Sequence, residues 1–156
     1  MSSAMTDTTR AAARKISMTE FVILIASLMA ITALSIDIML PALPAIGDAF
    51  NVLNPNDRQM VVSAYVIGFG LAQLIPGPLS DRFGRKWPLI AFLAIYTVAS
   101  AFIVFAPSFE VMLIARFVQG IGSAAPRVVA VAIVRDRFAG REMARIMSYA
   151  ITVFII

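Results

Sequence analysis

The sequence predicts an all-α membrane protein, a bundle of four full transmembrane helices and an incomplete fifth. Composition is the first reason. Of 156 residues, 60% are apolar and 14% charged, with a mean hydropathy of +0.89, where soluble domains run nearer half apolar and a quarter charged. The second is periodicity on the scale of a bilayer. Apolar runs fall at about 19–43, 60–79, 88–106 and 111–134, each near the ~20 residues that cross ~30 Å of hydrocarbon, and a shorter run covers about 146–156. The third is charge placement. Arg10, Arg14 and Lys15, then Arg82, Arg85 and Lys86, then Arg135, Arg137, Arg141 and Arg145 all fall on one side if the spans alternate, and Arg58 alone falls on the other. That is the positive-inside pattern, and it puts the N-terminus in the cytoplasm. The net charge of +4 therefore reports topology, and the expected surroundings are membrane lipid, with no nucleic acid.

Taken in order, residues 1–17 are rich in Ser, Thr and Ala and predict a disordered cytoplasmic N-terminus, ahead of a bundle over 18–156. The first run is too long for a signal-peptide core and contains Asp37, which argues against cleavage. In the second, Gly70 and Gly77 stand seven apart, nearly on one face, and predict close helix packing. Trp87 and Pro88 read as an interfacial anchor and a proline opening the third span. In the fourth, Gly120, Gly122, Ser123, Ala124 and Ala125 predict close approach of a neighbour. The last run holds about eleven residues, about half a crossing. The expectation is a piece of a longer protein, with the first three-helix repeat, half of an inverted second, and a missing C-terminal half as partner.

Ionisable residues inside a bilayer cost about 2.5–3.5 kcal/mol or more each, so each is a functional candidate. Asp37 is about 10 Å below Pro44, and Arg116 is about 12 Å below Ser108 on the same side. Equal depth predicts that they face each other. Two readings stay open: a static ion pair fixing the first span to the fourth, or a carboxylate that takes up a proton when a rearrangement separates the pair. Arg127 follows Arg116 by eleven residues, a net turn of about 20° and a rise of about 16 Å. With Gln119 and Ser123 it predicts one polar stripe facing protein or a water-filled cavity rather than lipid, packing or a substrate cavity being the two readings.

Between the second and third spans lies a compact charged hinge: Gly77, Asp81, Arg82, Gly84, Arg85 and Lys86. Gly84 suits a turn. Asp136, at the end of the fourth span, has the sign to pair with Arg85 and clip the second span to the fourth. Contacts of this kind form in one conformation and break in another, as a gate requires.

The hinge resembles the loop between helices 2 and 3 of the major facilitator superfamily, Gly-x-Leu-x-Asp-Arg-x-Gly-Arg-Lys, here at Gly77, Leu79, Asp81, Arg82, Gly84, Arg85 and Lys86. The fourth span is similar to a second motif of that superfamily, Leu-x-x-x-Arg-x-x-Gln-Gly-x-Gly, through Arg116, Gln119, Gly120 and Gly122, with Met112 where leucine is usual. With the helix 1 acid before Pro41-Ala-Leu-Pro44 and the run Ile133–Phe138, the chain looks like the N-terminal portion of a Bcr/CflA-type drug:proton antiporter. The resemblance implies proton coupling by Asp37 and Arg116, and gating by the loop motif with Asp136. It also implies residence in a bacterial inner membrane. The function expected is secondary active export of amphipathic drugs or related small molecules in exchange for protons. The alternatives are a metabolite or sugar permease of the same superfamily, or a truncated fragment that transports nothing. An enzyme is not expected. The chain has no histidine and no cysteine, Gly120-x-Gly122 inside a helix reads as packing rather than a phosphate loop, and no cofactor or metal is implied.

Overall fold

The computed structural model describes residues 17–155; the expected disordered segment thus lies outside the described residues, apart from Ser17. Among those residues every regular element is helical. Helix α1 (Met18–Asp37) begins with a capping box, in which the Glu20 amide donates to Ser17 Oγ at 3.2 Å and the Ser17 amide to Glu20 Oε2 at 3.0 Å. These bonds satisfy two of the amides that a helix start leaves open. The first run does not continue as one helix to residue 43. After Asp37 comes a 3₁₀ turn, Leu40–Ala42, and a short helix α2, Leu43–Ala49. Pro41 and Pro44 account for this, since proline fits a first helical turn and not an interior.

A single turn α3 (Pro55–Arg58) leads into α4 (Met60–Ala72). The second run, expected unbroken over about 60–79, is interrupted after Ala72. It resumes as α5 (Pro76–Phe83), bent by 45°. Pro76 has no amide to donate, so the break falls where the ladder lacks a donor. Gly84, at φ 83°, takes a backbone conformation that only glycine adopts freely and turns the chain into α6 (Lys86–Val104). Helix α7 (Phe109–Arg137) is capped by Ser108 and runs on through Pro126. Helix α8 (Gly140–Ile155) starts about six residues before the expected fifth span. By length and hydropathy three segments can cross a bilayer, Met18–Ala49, Lys86–Val104 and Phe109–Arg137, and the bent α4–α5 pair makes a fourth.

The bundle is built around α7, which packs against α4, α6 and α1. Glycine permits the closest of these contacts. A Cβ on Gly68 would overlap the Phe117 carbonyl, and one on Gly120 would overlap the Tyr65 carbonyl, so α4 and α7 meet backbone to backbone. On another side of α7, a Cβ on Gly122 would collide with the Tyr96 and Phe92 backbone of α6. The expected packing face of Gly70 and Gly77 does not form, because both look into open space. Gly68 has that role, as it lies on the opposite side of α4 from Gly70, about 200° away. Apolar packing completes the bundle. Phe21, Val22, Ile25 and Ala26 of α1 bury themselves with Ala130 and Val134 of α7 and Ile146 and Ala150 of α8.

These contacts generate a paired test. Gly68→Ala and Gly120→Ala each force backbones apart, at about 1–3 kcal/mol for overpacking, and should lower the thermal unfolding midpoint in detergent. Gly70→Ala adds a methyl to open space and improves helix propensity, so its midpoint should hold or rise. Equal effects at all three positions would contradict the close contact.

Candidate functional site

Beside the glycine contacts, α7 carries Arg116, Gln119 and Ser123, which are 3%, 6% and 0% exposed. Arg116 Nη1 donates to Gln119 Oε1 at 2.8 Å and to the Ser35 carbonyl at 3.4 Å. Gln119 Nε2 donates to Ser100 Oγ at 2.8 Å, and Ser100 Oγ donates to the Tyr96 carbonyl at 2.7 Å. Ser35 Oγ and the Tyr96 hydroxyl share a hydrogen bond of 2.7 Å. At longer reach, the Tyr65 hydroxyl donates to the Thr32 carbonyl and Thr32 Oγ1 to the Ser123 carbonyl, both at 3.4 Å. Four helices thus converge on one buried polar network. Its single cation is surrounded by neutral groups, and Arg116 Nε is the one buried side-chain nitrogen or oxygen without a partner among the described residues.

Sequence reasoning did not single out Thr32, Ser35, Tyr96 or Ser100. The available signal was spacing: 32 and 35, and 96 and 100, are one helical turn apart on otherwise apolar helices.

The expected Asp37–Arg116 contact is absent. Asp37 is exposed at the last turn of α1 and makes no hydrogen bond or ion pair among the described residues. Equal depth was a sound inference, but depth does not fix azimuth. Ser35 and Asp37 are two residues apart, about 200° around the helix. Ser35 faces Arg116 and Tyr96, so Asp37 must face away, on the side of Ser27 and Leu34, which are also exposed.

The single polar stripe is likewise divided. Gln119 and Ser123 are buried and bonded, Ser123 Oγ donating to the Gly120 carbonyl at 2.7 Å. Arg127 is exposed and opens into a separate hollow of about 420 Å³ between α4–α5 and α7, lined also by Gln73, Gly77, Asp81, Arg85 and Arg135.

At the hinge, Arg85 is the centre. Its Nε and Nη2 donate to Asp136 Oδ2 and Oδ1 at 2.9 and 3.3 Å, its Nη1 pairs with Asp81 Oδ1 at 2.7 Å, and Nη1 also donates to Ser80 Oγ at 2.6 Å. The Asp136 hydrogen bonds, opposed in part by burial and helped by Asp81, push the Arg85 pKa up. Ser80, 2% exposed, donates to the Gly77 carbonyl at 2.9 Å. The clip between the second and fourth spans is therefore formed. Arg82 and Lys86 stand outside it. Arg82 lies over the Phe83 ring at 5.4 Å, and Lys86 is exposed at the start of α6.

Fold and site together define an integral membrane helical bundle: apolar helices around a buried polar centre, with an ion-paired hinge at one end. The sequence pattern of the Major Facilitator Superfamily matches residues 25–156, and the chain belongs to that superfamily, whose members are transporters and not enzymes. Among similar proteins, a chloramphenicol resistance protein of Pseudomonas aeruginosa is 35% identical over 126 residues, covering 81% of this chain and 30% of that protein. The multidrug resistance protein MdtL of Escherichia coli O139:H28 is 35% identical over 133 residues, covering 84% and 33%. The uncharacterized MFS-type transporter YdgK of Bacillus subtilis is 36% identical over 115 residues, covering 74% and 28%. The chain spans about a third or less of the length of these relatives.

The hinge geometry can be tested directly, because the chain has no native cysteine. Ser80→Cys places a small thiol under Arg85 and should react slowly with maleimide. Adding Arg85→Gln removes both ion pairs and should raise the labelling rate severalfold. An unchanged rate would mean that Arg85 does not hold the hinge closed.

Proposed function

We propose that this chain is the N-terminal part of a secondary exporter of amphipathic drugs or related small molecules, driven by exchange for protons. The observation that carries the reading is Arg116, a buried cation held by the neutral Gln119 side chain and the Ser35 carbonyl, while the acid Asp37 stands free two residues beyond Ser35 on α1. Such a pair is suited to alternation. Asp37 takes up a proton from one side and releases it after the helices move, and Arg116 supplies the field that distinguishes the two states. The names of the Pseudomonas and Escherichia relatives support drug export. The likeness of Asp37 and Arg116 to the coupling residues of Bcr/CflA-type antiporters supports the proton.

In this reading Gln119 and Ser123 hold Arg116 and the helix contact rather than touching substrate, and Arg127 is the substrate-facing cation. The hinge, with Gly77 and Gly84 shaping the backbone and Arg85 clamped between Asp81 and Asp136, is the gate of one conformation, and Arg82 and Lys86 set its topology. The hinge end faces the cytoplasm of a bacterial cell, as the concentration of Arg and Lys there suggests. The remaining length of the relatives corresponds to further helices that complete the cavity.

Two experiments test the proposal in the full-length protein. Asp37→Asn and Arg116→Ala should each reduce gradient-driven dye efflux to about a tenth or less, the factor that 1.4 kcal/mol represents, with Arg116→Lys milder because it keeps the charge. Wild-type efflux from both variants would remove the coupling role. For orientation, cysteines at Asn54 and Ser108 should react with an impermeant maleimide on intact cells, and one at Arg82 should react only after permeabilisation. The reverse pattern would invert the topology.

A further inference from the structure

The hinge-end hollow contains more positive charge than its own residues neutralise. Arg85 is engaged by Asp81, Asp136 and Ser80. Arg127 and Arg135 also line the hollow, and neither makes a hydrogen bond or an ion pair among the described residues. Asp81, the one acid in the lining, is committed to Arg85. Three arginines thus meet two carboxylates, Asp81 and Asp136.

Position makes this excess costly. Arg127 lies ten residues from the end of α7, about 15 Å along the axis, and so within the membrane span. A guanidinium at that depth needs polar protein groups, water or an anionic partner, and Arg127 has no protein partner among the described residues. The walls beside it, Val128, Val131 and Ala132, are apolar, which strengthens any ionic contact made there. Arg127 and Arg135 sit two turns apart on one helix, about 12 Å between Cα atoms, and their long side chains can converge on one group from two sides. Gln73, across the hollow on the α4–α5 side, adds an amide donor. Planar guanidinium forks with an amide donor suit carboxylate and phosphate, and their unneutralised positive charge repels an ammonium ion.

We infer that the hollow between α4–α5 and α7 is an oxyanion site, in which Arg127 and Arg135 bind the phosphate or carboxylate end of an otherwise apolar molecule. As a statement of substrate class this rests on the export reading above: the exported compounds are anionic or zwitterionic amphiphiles rather than lipophilic cations. An anionic lipid headgroup offers the same chemistry.

The test reads binding without any gradient, in nanodiscs of phosphatidylcholine. Isothermal titration calorimetry reads the binding: phenyl phosphate should give a saturable heat, and benzylammonium, of similar size and opposite charge, should not. Arg127→Gln should weaken phenyl phosphate binding about tenfold or more, as loss of a charged hydrogen bond predicts, and Arg127→Lys should retain part of it. Arg135→Gln, farther from the core, serves if the Arg127 variant fails to fold. Adding phosphatidylglycerol to the disc separates the sources. Competition that depends on Arg127 identifies a lipid headgroup, and an undisturbed titration identifies a soluble anion; either supports the site. No anion response with either probe, an equal response to benzylammonium, or unchanged affinity in both glutamine variants would overturn it. A protein that binds anions yet exports nothing would keep this site and lose the antiport reading, so the two failures are distinguishable.

Discussion

When two helices touch at glycine, the side chains flanking the contact come within hydrogen-bonding reach of each other. Helix α7 is touched in this way on two sides, by α4 at Gly68 and Gly120 and by α6 at Gly122. The polar network depends on it. Gln119 is short, and it reaches Ser100 of α6 at 2.8 Å only because Gly122 lets the α6 backbone lie against α7. Arg116 then has in Gln119 a fixed acceptor, itself held from the far side by Ser100. A larger residue at any of these glycines would move the helices apart and leave buried donors and acceptors unpaired, which costs more than the lost packing alone.

The same closeness explains how a guanidinium survives without a carboxylate. Breaking a buried ion pair is costly, but a cation solvated by carbonyl, amide and hydroxyl dipoles need not be in one. Here the Ser35 carbonyl and Gln119 supply those dipoles, and only Nε is left over. Asp37 is therefore not consumed in holding Arg116.

Much of this was legible in the sequence. The helical class, the spans and the hinge follow from hydropathy, glycine and proline placement, and charge signs. The Arg85–Asp136 clip was readable because both groups sit at one interface with opposite sign and few competitors. What was not legible was azimuth. The Asp37–Arg116 contact and the Arg116–Arg127 stripe were inferred from depth and from an ideal turn of 100° per residue. Which face of a helix meets which neighbour depends on where the closest contact falls, and Gly68 and Gly70 offer α4 two opposite candidates. Only the assembled bundle decides, and it chose Gly68. The hydroxyl residues escaped notice for a related reason: a lone serine or threonine in a membrane helix usually bonds its own backbone, as Ser27 and Thr97 do here.

The three intramembrane and hinge arginines form a series. Arg85 is clamped by two carboxylates, Arg116 is solvated by fixed neutral dipoles, and Arg127 has no protein partner among the described residues. These differ in what motion does to them. Arg85, at the N-cap of α6, joins Asp81 of α5 to Asp136 of α7, so separating α5 from the end of α7 breaks at least one of its two pairs, and the clamp favours one arrangement of the helices. Arg116 is held chiefly from its own helix and from α6 through Gln119, so it keeps its surroundings while those two move together, and α1, which contributes Ser35, is the element free to change its relation to it. Arg127 opens to the hollow and is tied to no neighbouring helix among the described residues. A conformational change that moves α1 and α5 against a rigid α6–α7 pair would alter the settings of Asp37 and Arg85 while leaving the Arg116–Gln119–Ser100 chain intact. That division assigns α7 the part of a fixed post, and the backbone contacts at Gly120 and Gly122 are what make it rigid enough for the part.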